Sequence, residues 1–304
     1  MRIAVTLRQL EIFLAVARAG QVTQAARTLH LTQSATSMAL AQLEKQLDIE
    51  LFERQGRSLK LTERGRLLLA EAPDLLDRVR QLPALLGGRG RELRGELRVA
   101  ASTTVGRYLL APTLAAFAQA HPAVAVQLII GNTETATAAL LSHRADIAYV
   151  EGSVVQAGLV AEPWKTDELQ IVASARRRKQ RSAPLSRAEV AKLGWIMREP
   201  GSGTREVLEN ALRAAKLPPP KALLTLDDSE AVLQAVASGV GVACLSRLVV
   251  AESLRSKRLL ALRAPYLNLE RALWEVTRDH STSGPIQKAL QMSFAANGRR
   301  GGFA

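Results

Sequence analysis

The sequence predicts an α/β protein preceded by a small helical domain, and two patterns in the chain support this fold class. Between residues 95 and 280, short apolar strands alternate with helical stretches, the order of elements in a parallel sheet with right-handed crossovers. Before residue 87, apolar residues instead recur at helical spacing. A chain of 304 residues is long enough for two or three domains.

The first two predicted helices are short and close together in the chain. Apolar positions at helical spacing predict a helix over residues 7–18, which Gly20 ends, and a second helix over 22–29. Ala25 and Ala26 are small, so the second helix can cross closely over another helix. These features predict a compact pair of helices at the start of the chain.

A third helix is predicted to begin near Thr32 and Gln33, and its two faces differ. The apolar face holds Thr36, Leu40, Leu43 and Leu47. The opposite face and its flank hold Ser34, Ser37, Met38, Gln42 and Lys45. A helix with short polar side chains at its start, braced by a small-residue helix, is the arrangement of a helix-turn-helix. Two amphipathic helices of an ordinary helical domain would show the same spacing.

A basic hairpin is predicted to follow the third helix. Residues 51–54 and 58–61 form two short extended pieces, and Gly56 permits a tight turn between them. The cations around this turn are Arg54, Arg57 and Lys60. Beside a recognition helix, such a hairpin would lie against phosphates or the minor groove as a wing. A solvated basic loop is the alternative.

Residues 7–65, LRQLEIF through LTERG, resemble the N-terminal winged helix of LysR-type transcriptional regulators almost position by position. Two departures are visible: Met38 stands where many members carry Arg, and Asp48 stands where Gly is usual. The resemblance implies binding to double-stranded promoter DNA by an all-α winged helix-turn-helix. The implied DNA-binding residues are Thr32, Gln33, Ser34, Ser37, Met38, Arg54, Arg57 and Lys60.

A long linker helix is predicted to follow Thr62, which caps it, and its apolar spacing extends to about residue 86. A heptad seam runs along it through Leu68, Ala72, Leu75, Val79, Leu82 and Leu86. Such a seam favours a partner helix, although it could also pack against the protein's own body. Pro73 predicts a bend, Pro83 an end, and residues 87–92 a glycine-rich hinge. In the family that the chain resembles, this helix dimerises.

The remaining residues predict two small α/β lobes. Strands are expected at 97–101, 124–130, 146–150, 168–173, 195–197, 222–225, 240–245 and 271–277. Helices are expected at 107–120, 135–142, 204–216, 229–237 and 285–295. Two crossings between the lobes, near 162–167 and 262–270, match the family's effector domain, which is similar to a periplasmic binding protein. The expected domains are 1–62 (winged helix), 63–92 (linker helix and hinge) and 93–304, with lobe I at 93–162 and 268–300 and lobe II at 167–264.

Three polar loops follow predicted strands of these lobes, and we expect them to bind a small anion. They are Ser102-Thr103-Thr104, Gly131-Asn132-Thr133 and Gly201-Ser202-Gly203-Thr204, with Arg198 shortly before the third. Ligands of open parallel sheets bind at the carboxyl ends of strands, where helix N-termini offer unpaired N–H groups. Each loop alone is equally explained as a well-capped helix start. The REPGSGTRE stretch (198–206) is similar to the family branch that governs carbon-fixation and sulfur-assimilation genes, whose usual effectors are small anions or phosphorylated metabolites.

Composition favours a DNA-binding protein over an enzyme. The net charge of +13 favours polyanionic partners, but residues 1–88 carry only +3 of it, so charge alone does not locate the DNA-binding end. The four histidines form no triad or metal spacing, and no phosphate-binding loop is present, so neither catalysis nor a cofactor or metal is expected.

Cys244 is the single cysteine and is expected in the core. No secretion signal or membrane span is predicted, so we expect the chain to act in the cytoplasm.

These observations predict a LysR-type regulator that senses a small, anionic metabolite and changes the bending or occupancy of promoter DNA. The resemblance implies a dimer through the linker helix and a homotetramer on DNA, with RNA polymerase as a candidate further partner. Two other classes stay open. One is an architectural DNA-binding protein with an inert α/β domain, and the other is a cytoplasmic solute-binding protein whose N-terminal helices only dimerise it.

Overall fold

The computed structural model of the chain describes residues 5–55, 58–86, 93–176, 183–279, 281 and 283–298. Within it the chain divides into two compact units, Met1–Arg89 and Gly90–Ala304.

The first unit opens with the three helices that the sequence predicts, α1 (Leu7–Ala19), α2 (Val22–Thr28) and α3 (Gln33–Leu47). Thr6 caps α1 through a capping box, and Gly20 ends it with a left-handed backbone at φ +66°. The predicted faces of α3 are confirmed, because Leu40 and Leu43 are buried while Met38 is 73% exposed. Thr36 is fully buried, and its hydroxyl donates to the carbonyl of Thr32 at 2.9 Å.

A two-stranded antiparallel hairpin follows, β1 (Phe52–Gln55) paired with β2 (Ser58–Leu61). Its position against the helices is set by hydrogen bonds. The Glu44 Oε1 atom accepts from the backbone N–H groups of Leu51 and Phe52 at 2.8 and 3.2 Å. The N–H of Leu59 donates to the carbonyl of Gly20 at 2.8 Å. The hairpin's turn, residues 56–57, lies outside the described residues.

The long helix α4 (Glu63–Leu86) continues through Pro73 and past Pro83, where the sequence predicted its end. Thr62 caps it by accepting from the N–H of Gly65 at 3.0 Å. The predicted heptad seam does not form a single face. Ala72 is fully buried in the core of the first unit, whereas Leu75 and Leu82 are 47% and 45% exposed. The seam thus packs against the protein's own body at Ala72, whereas Leu75 and Leu82 remain exposed.

The second unit contains a mixed sheet. Its strands are β3 (Gly95–Ser102), β4 (Val124–Gly131), β5 (Ile147–Glu151), β6 (Leu159–Ser174), β7 (Gly194–Arg198), β8 (Lys221–Leu226), β9 (Val242–Ser246), β10 (Leu259–Leu262) and β11 (Glu270–Arg278). Their order is β4-β3-β5-β11-β6-β9-β7-β8, with β10 also on β6. The helices are α5 (Ala111–Ala120), preceded by a π-helical turn over Val105–Leu110, then α6 (Thr133–Leu141), α7 (Arg187–Ala191), α8 (Gly203–Ala214), α9 (Ser229–Ala237), α10 (Arg247–Arg255) and α11 (Pro285–Gly298).

Two strands connect the two lobes, and they correct the expectation of a purely parallel sheet. β3 pairs in parallel with β4 and β5 in the first lobe, and β7 pairs in parallel with β8 and β9 in the second. β6 and β11 run antiparallel to each other between these halves. The crossing expected at 162–167 is therefore part of one continuous strand, of which the sequence predicted only 168–173. The sequence also did not predict α7, α10 and β10.

Each lobe has its own apolar core, which fixes the ends of its strands. In the first lobe, Ala100 of β3 and Val150 of β5 are fully buried in one cluster with Leu140 of α6. In the second lobe, Trp195 and Leu212 are among the largest buried side chains and join β7 to α8. Within the described residues, no helix combines the length and apolar character needed to cross a membrane.

Candidate effector cleft and nucleic-acid interface

The N-terminus of α3 carries an exposed polar surface. Thr32 caps the helix by accepting from the N–H of Ala35 at 3.2 Å, and its hydroxyl lies 3.1 Å from that of Ser34. The other side chains predicted to bind DNA on this helix, Gln33, Ser37 and Met38, are also exposed. Such a surface suits insertion into a major groove, where short polar side chains reach base edges.

The hairpin adds positive charge to the same unit. Arg54 is exposed on β1, and Lys60 on β2 faces Glu53 in the strand register with 4.0 Å between Nζ and Oε1. An exposed ion pair at this distance contributes little to stability, so Lys60 could leave Glu53 for a DNA phosphate at little cost. Arg57, the third predicted cation of the hairpin, lies outside the described residues.

In the second unit, the first predicted loop lies at the end of β3 and is fully enclosed. Ser102, Thr103 and Thr104 are at most 5% exposed. The hydroxyl of Thr103 donates to the carbonyl of Gly131 at 2.8 Å, which ties the first loop to the second. Within the described residues, the buried hydroxyl of Thr104 has no hydrogen-bond partner.

The second loop starts α6. Asn132 caps this helix by accepting from the N–H of Thr135 at 2.8 Å. Thr133 is buried, and its hydroxyl donates to the carbonyl of Glu151 at 2.7 Å. This loop also reaches the second lobe, because the N–H of Glu134 donates to the carbonyl of Gly201 at 3.4 Å. The capping explanation therefore holds for this loop, which in addition bridges the lobes.

The third loop starts α8 and comes very close to β5. A Cβ on Gly203 would overlap the carbonyl oxygen of Glu151, so only glycine allows this approach. Gly201 has a left-handed backbone with φ +81°. Ser202 is 4% exposed, and its hydroxyl has no partner in the described part of the chain. The structure thus brings the three loops together between the lobes.

Arg198 is buried below the third loop, and its guanidinium is already engaged. It donates to the carboxylate of Glu199 at 2.7 and 2.9 Å and to the hydroxyl of Ser229 at 2.6 Å. A direct bond from Arg198 to a ligand would require the loss of one of these partners. Its charge nevertheless contributes to the potential in the cleft, because it is only 3% exposed.

A buried charged network underlies the loops, and sequence reasoning missed most of it. Ser102 donates to the carboxylate of Glu151, whose other oxygen lies 3.5 Å from Arg271 Nη1. Arg271 also donates to Asp167 at 2.6 Å and to the hydroxyl of Thr204 at 2.9 Å. Glu151 gives a weak local signal, because it directly follows the strand predicted at 146–150. Arg271 and Asp167 gave no local signal, since their proximity depends on the pairing of β11 with β6.

Burial controls the ionisation of this network. The pKa of Glu151 is raised from its ordinary value because the carboxyl group is fully buried. The charges of Arg271 and Arg198 act in the opposite direction, and that of Asp167 adds to the rise. Glu151 can therefore take up a proton more easily than an exposed glutamate.

A groove of about 690 Å³ opens between α6 and α8, directly beside the second and third loops. Thr133 and Ser202 form part of its wall, and so do the charged side chains of Glu134, Arg205 and Glu206. This volume is within the range that small-molecule sites occupy. Among the described residues, no group of three or more His, Cys, Asp and Glu side chains is placed to hold a metal ion.

Family models match both units of the chain. The model of the LysR substrate binding domain matches residues 90–295, and that of the bacterial regulatory helix-turn-helix protein, lysR family, matches residues 7–66. The regulator YeiE of Escherichia coli K12 is 37% identical over 294 residues, which cover 96% of this chain and 98% of YeiE. A RuBisCO operon transcriptional regulator of Acidithiobacillus ferrooxidans is 31% identical over 293 residues, which cover 96% and 94% of the two chains.

Solved structures show the same fold. A full-length variant of OxyR from Pseudomonas aeruginosa superimposes with a TM-score of 0.72 at 19% identity, and the match covers 96% of this chain and 95% of OxyR. The regulatory domain of Synechocystis PCC6803 CcmR, solved in complex with 2-PG, has a TM-score of 0.60 at 24% identity, and the match covers 66% and 96% of the two chains. The RuBisCO operon regulator among the relatives supports the carbon-fixation branch that the REPGSGTRE stretch suggested. The chain belongs to the LysR family of transcriptional regulators, with an N-terminal DNA-binding helix-turn-helix and an effector-binding α/β domain.

Proposed function

We propose that this regulator senses a small anionic metabolite in the cleft where the three loops meet. The observation that carries the proposal is a pair of unpartnered hydroxyls among the described residues, Thr104 Oγ1 in the first lobe and Ser202 Oγ in the second, both buried. A buried hydroxyl without an acceptor costs roughly 1–3 kcal/mol. A bound anion would accept from both hydroxyls at once and thereby hold the two lobes together.

Helix N-termini add to the preference for an anion. α6 and α8 both begin at the cleft, and the N-terminus of each carries a partial positive charge. The described loops contain no free cation, because Arg198 is bound to Glu199. A site built from hydroxyls, backbone N–H groups and helix dipoles suits a compact oxyanion or phosphate ester. The 2-PG in the CcmR structure belongs to this class.

DNA recognition is assigned to the first unit. We expect Thr32, Gln33, Ser34, Ser37 and Met38 to lie in the major groove. Arg54, Arg57 and Lys60 are expected to contact phosphates or the minor groove. The exposed part of α4 carries the dimer contact, two dimers form a tetramer on promoter DNA, and the protein acts in the cytoplasm.

The mechanism is a shift between conformations. Anion binding would favour a closed arrangement of the lobes, since one ligand would then accept from a hydroxyl of each lobe. Closure would then change the shape of the tetramer and with it the bending or occupancy of the promoter and access for RNA polymerase.

Thermal unfolding of the full-length protein against small anions tests the effector site. The panel contains sulfate, sulfite, phosphoglycerates, phosphoenolpyruvate and 2-phosphoglycolate. A ligand at a hundred times its Kd adds about 2.7 kcal/mol, or a rise in Tm of roughly 5–10 °C for a unit of this size. A Thr104→Ala, Ser202→Ala double variant should lose the shift, and the exposed Ser238→Ala variant should keep it.

The outcomes separate the candidate functions. A shift that survives in the double variant would place the ligand elsewhere in the molecule. The absence of any shift would favour a neutral or bulkier effector over a small anion. A gel-shift assay in which no protein–DNA complex forms would contradict the assignment of DNA recognition to the first unit.

A further inference from the structure

We propose that the groove between α6 and α8 holds the second end of the effector, and that Glu134 and Glu206 select an ammonium-bearing or hydroxylated end over a second anion. This inference rests on the proposed function, since the anionic end of the same molecule would occupy the loops. It narrows the effector from any small anion to a class with one anionic end and one hydrogen-bond-donating end.

The groove is continuous with the loops. Thr133 and Ser202 belong to the loops and also line the groove. The hydroxyl of Ser202, which has no partner among the described residues and belongs to a side chain that is 4% exposed, therefore lies at the junction between the two. A ligand anchored at this hydroxyl has the groove as open space for the rest of its atoms.

Two carboxylates flank that junction. A Cβ on Gly201 would overlap Glu134 Oε2, which places this carboxylate against the residue before Ser202. Glu206 follows Ser202 by one helical turn, and its Oε2 atom accepts from the N–H of Ser153 at 3.1 Å. Glu134 and Glu206 line the same groove as Ser202, so a group that extends from Ser202 into the groove comes under the influence of both carboxylates.

The charges of the groove leave these two carboxylates uncompensated. Arg205 is the cation in the wall, and it donates to Glu209 at 2.8 Å and to the carbonyl of Arg198 at 3.1 Å. Glu134 makes no ion pair with any described residue, and Glu206 accepts from a backbone donor. The groove therefore carries a net negative charge while the loops beside it favour an anion.

Helix dipoles explain how two like charges persist on one groove. Glu134 lies in the first turn of α6 and Glu206 in the first turn of α8. A carboxylate in the first turn of a helix is stabilised by the partial charge of that N-terminus. The helix N-termini thus stabilise the charges of Glu134 and Glu206 without an ion pair, so both carboxylates remain available to a ligand.

A matched set of three phosphate monoesters tests the selection on the full-length protein. Phosphoethanolamine, ethyl phosphate and 2-phosphoglycolate share the phosphate end and differ at the other end, which is positive, neutral or negative. We expect affinity to fall in that order, with about a three- to tenfold difference between phosphoethanolamine and 2-phosphoglycolate. Calorimetric titration at one pH and one ionic strength gives the three dissociation constants.

A Glu134→Gln, Glu206→Gln variant assigns the effect to the groove. It keeps the size of both side chains and removes their charge, so the three dissociation constants should become nearly equal. Glu96→Gln changes the charge at an exposed position of β3 outside the groove and should leave the order unchanged.

Three results would contradict the proposed selection by Glu134 and Glu206. If 2-phosphoglycolate binds as tightly as phosphoethanolamine or more tightly, the selection by Glu134 and Glu206 is wrong while the anion site stands. If none of the three esters binds, the phosphate-holding loops and the groove assignment are both wrong. An order that persists in the double variant would assign the selection to other residues and overturn the proposal.

Discussion

Arg271 donates from Nη1 to the hydroxyl of Thr204 at 2.9 Å, and this bond joins a strand that crosses between the lobes to the N-terminus of α8. The same nitrogen lies 3.5 Å from the Glu151 carboxylate at the end of β5. One buried cation thus contacts the first lobe, the second lobe and the crossing strands. Its position makes it the structural link between the three loops and the strands that connect the lobes.

Replacement of Arg271 by Met should destabilise the protein strongly. The change leaves Asp167 and Glu151 buried without their cation, and both are less than 5% exposed. Breaking a buried pair in this way costs about 3–5 kcal/mol. Urea unfolding followed by circular dichroism measures the loss. Arg271→Lys should recover part of it, and a loss below about 1 kcal/mol would show that the network is not structurally important.

Glu151→Gln should make the stability less dependent on pH. The pKa of Glu151 is raised from its ordinary value of 4.5, mainly by burial, so the folded state holds a proton that the unfolded state releases. The contribution of Glu151 to the stability of the wild type should then fall as pH rises from about 4.5 through the folded-state pKa. Glutamine does not titrate.

The difference in unfolding free energy between Glu151→Gln and the wild type should therefore grow toward alkaline pH. Its slope approaches about 1.4 kcal/mol per pH unit until the folded-state pKa is passed. Urea titrations at several pH values above about 4.5 measure this difference. Glu96→Gln, at an exposed site, is the matched control and should show no such trend. A constant difference across the range would mean that Glu151 is ionised in the folded state throughout.

Much of this architecture could be predicted from local sequence patterns. The apolar spacing of 7–47 gave three helices with the correct inward faces, because side-chain burial follows helical periodicity within one element. The three loops were found because Ser, Thr and Gly directly follow buried strands of the parallel halves. The prediction that the loops converge rests on a general rule, which is that the carboxyl ends of parallel strands lie at the same edge of a sheet.

Long-range pairing explains what the sequence did not predict. The Arg271–Asp167 bond joins residues more than a hundred positions apart, and no local pattern encodes it. The crossing expected at 162–167 follows from the resemblance to the family's effector domain, and no local pattern predicts a strand there. The strand conformation of this part of β6 depends on its bonds to β11. The seam of α4 divided for a similar reason, since Ala72 is covered by the helices of the first unit.

Met38→Arg should strengthen DNA binding. Met38 is 73% exposed on the polar face of α3, so an arginine there adds a cation without disturbing the core. One new phosphate contact increases the slope of log K against log salt by about one unit. Fluorescence anisotropy with a duplex selected from random sequence by the wild type measures this slope. Ala70→Arg, an exposed position on α4, is the control, and an unchanged slope for Met38→Arg would remove this residue from the interface.

Ser34→Ala and Arg54→Ala should affect recognition differently. Ser34 lies at the start of α3, so its loss should change the base preference at one or two positions of a selected site. Arg54 lies on the hairpin, so its loss should weaken binding to every sequence and lower the salt slope by about one unit. Selection from random duplexes measures the preference, and anisotropy measures the slope. Uniform weakening by both variants would mean that α3 does not enter the major groove.

Leu75→Glu should weaken dimerisation while the first unit stays folded. Leu75 is 47% exposed on α4, whereas Ala72 and Leu76, on the neighbouring face, are buried in the unit's own core. A charge at Leu75 therefore opposes a partner helix without entering that core, and the loss of one buried leucine contact costs about 2 kcal/mol, or roughly thirtyfold in dimer dissociation. Sedimentation over a dilution series measures this, with circular dichroism to confirm folding. Ala70→Glu adds the same charge on the far side of α4 and should leave association intact. If both variants dimerise as tightly as the wild type, the dimer contact does not lie on α4.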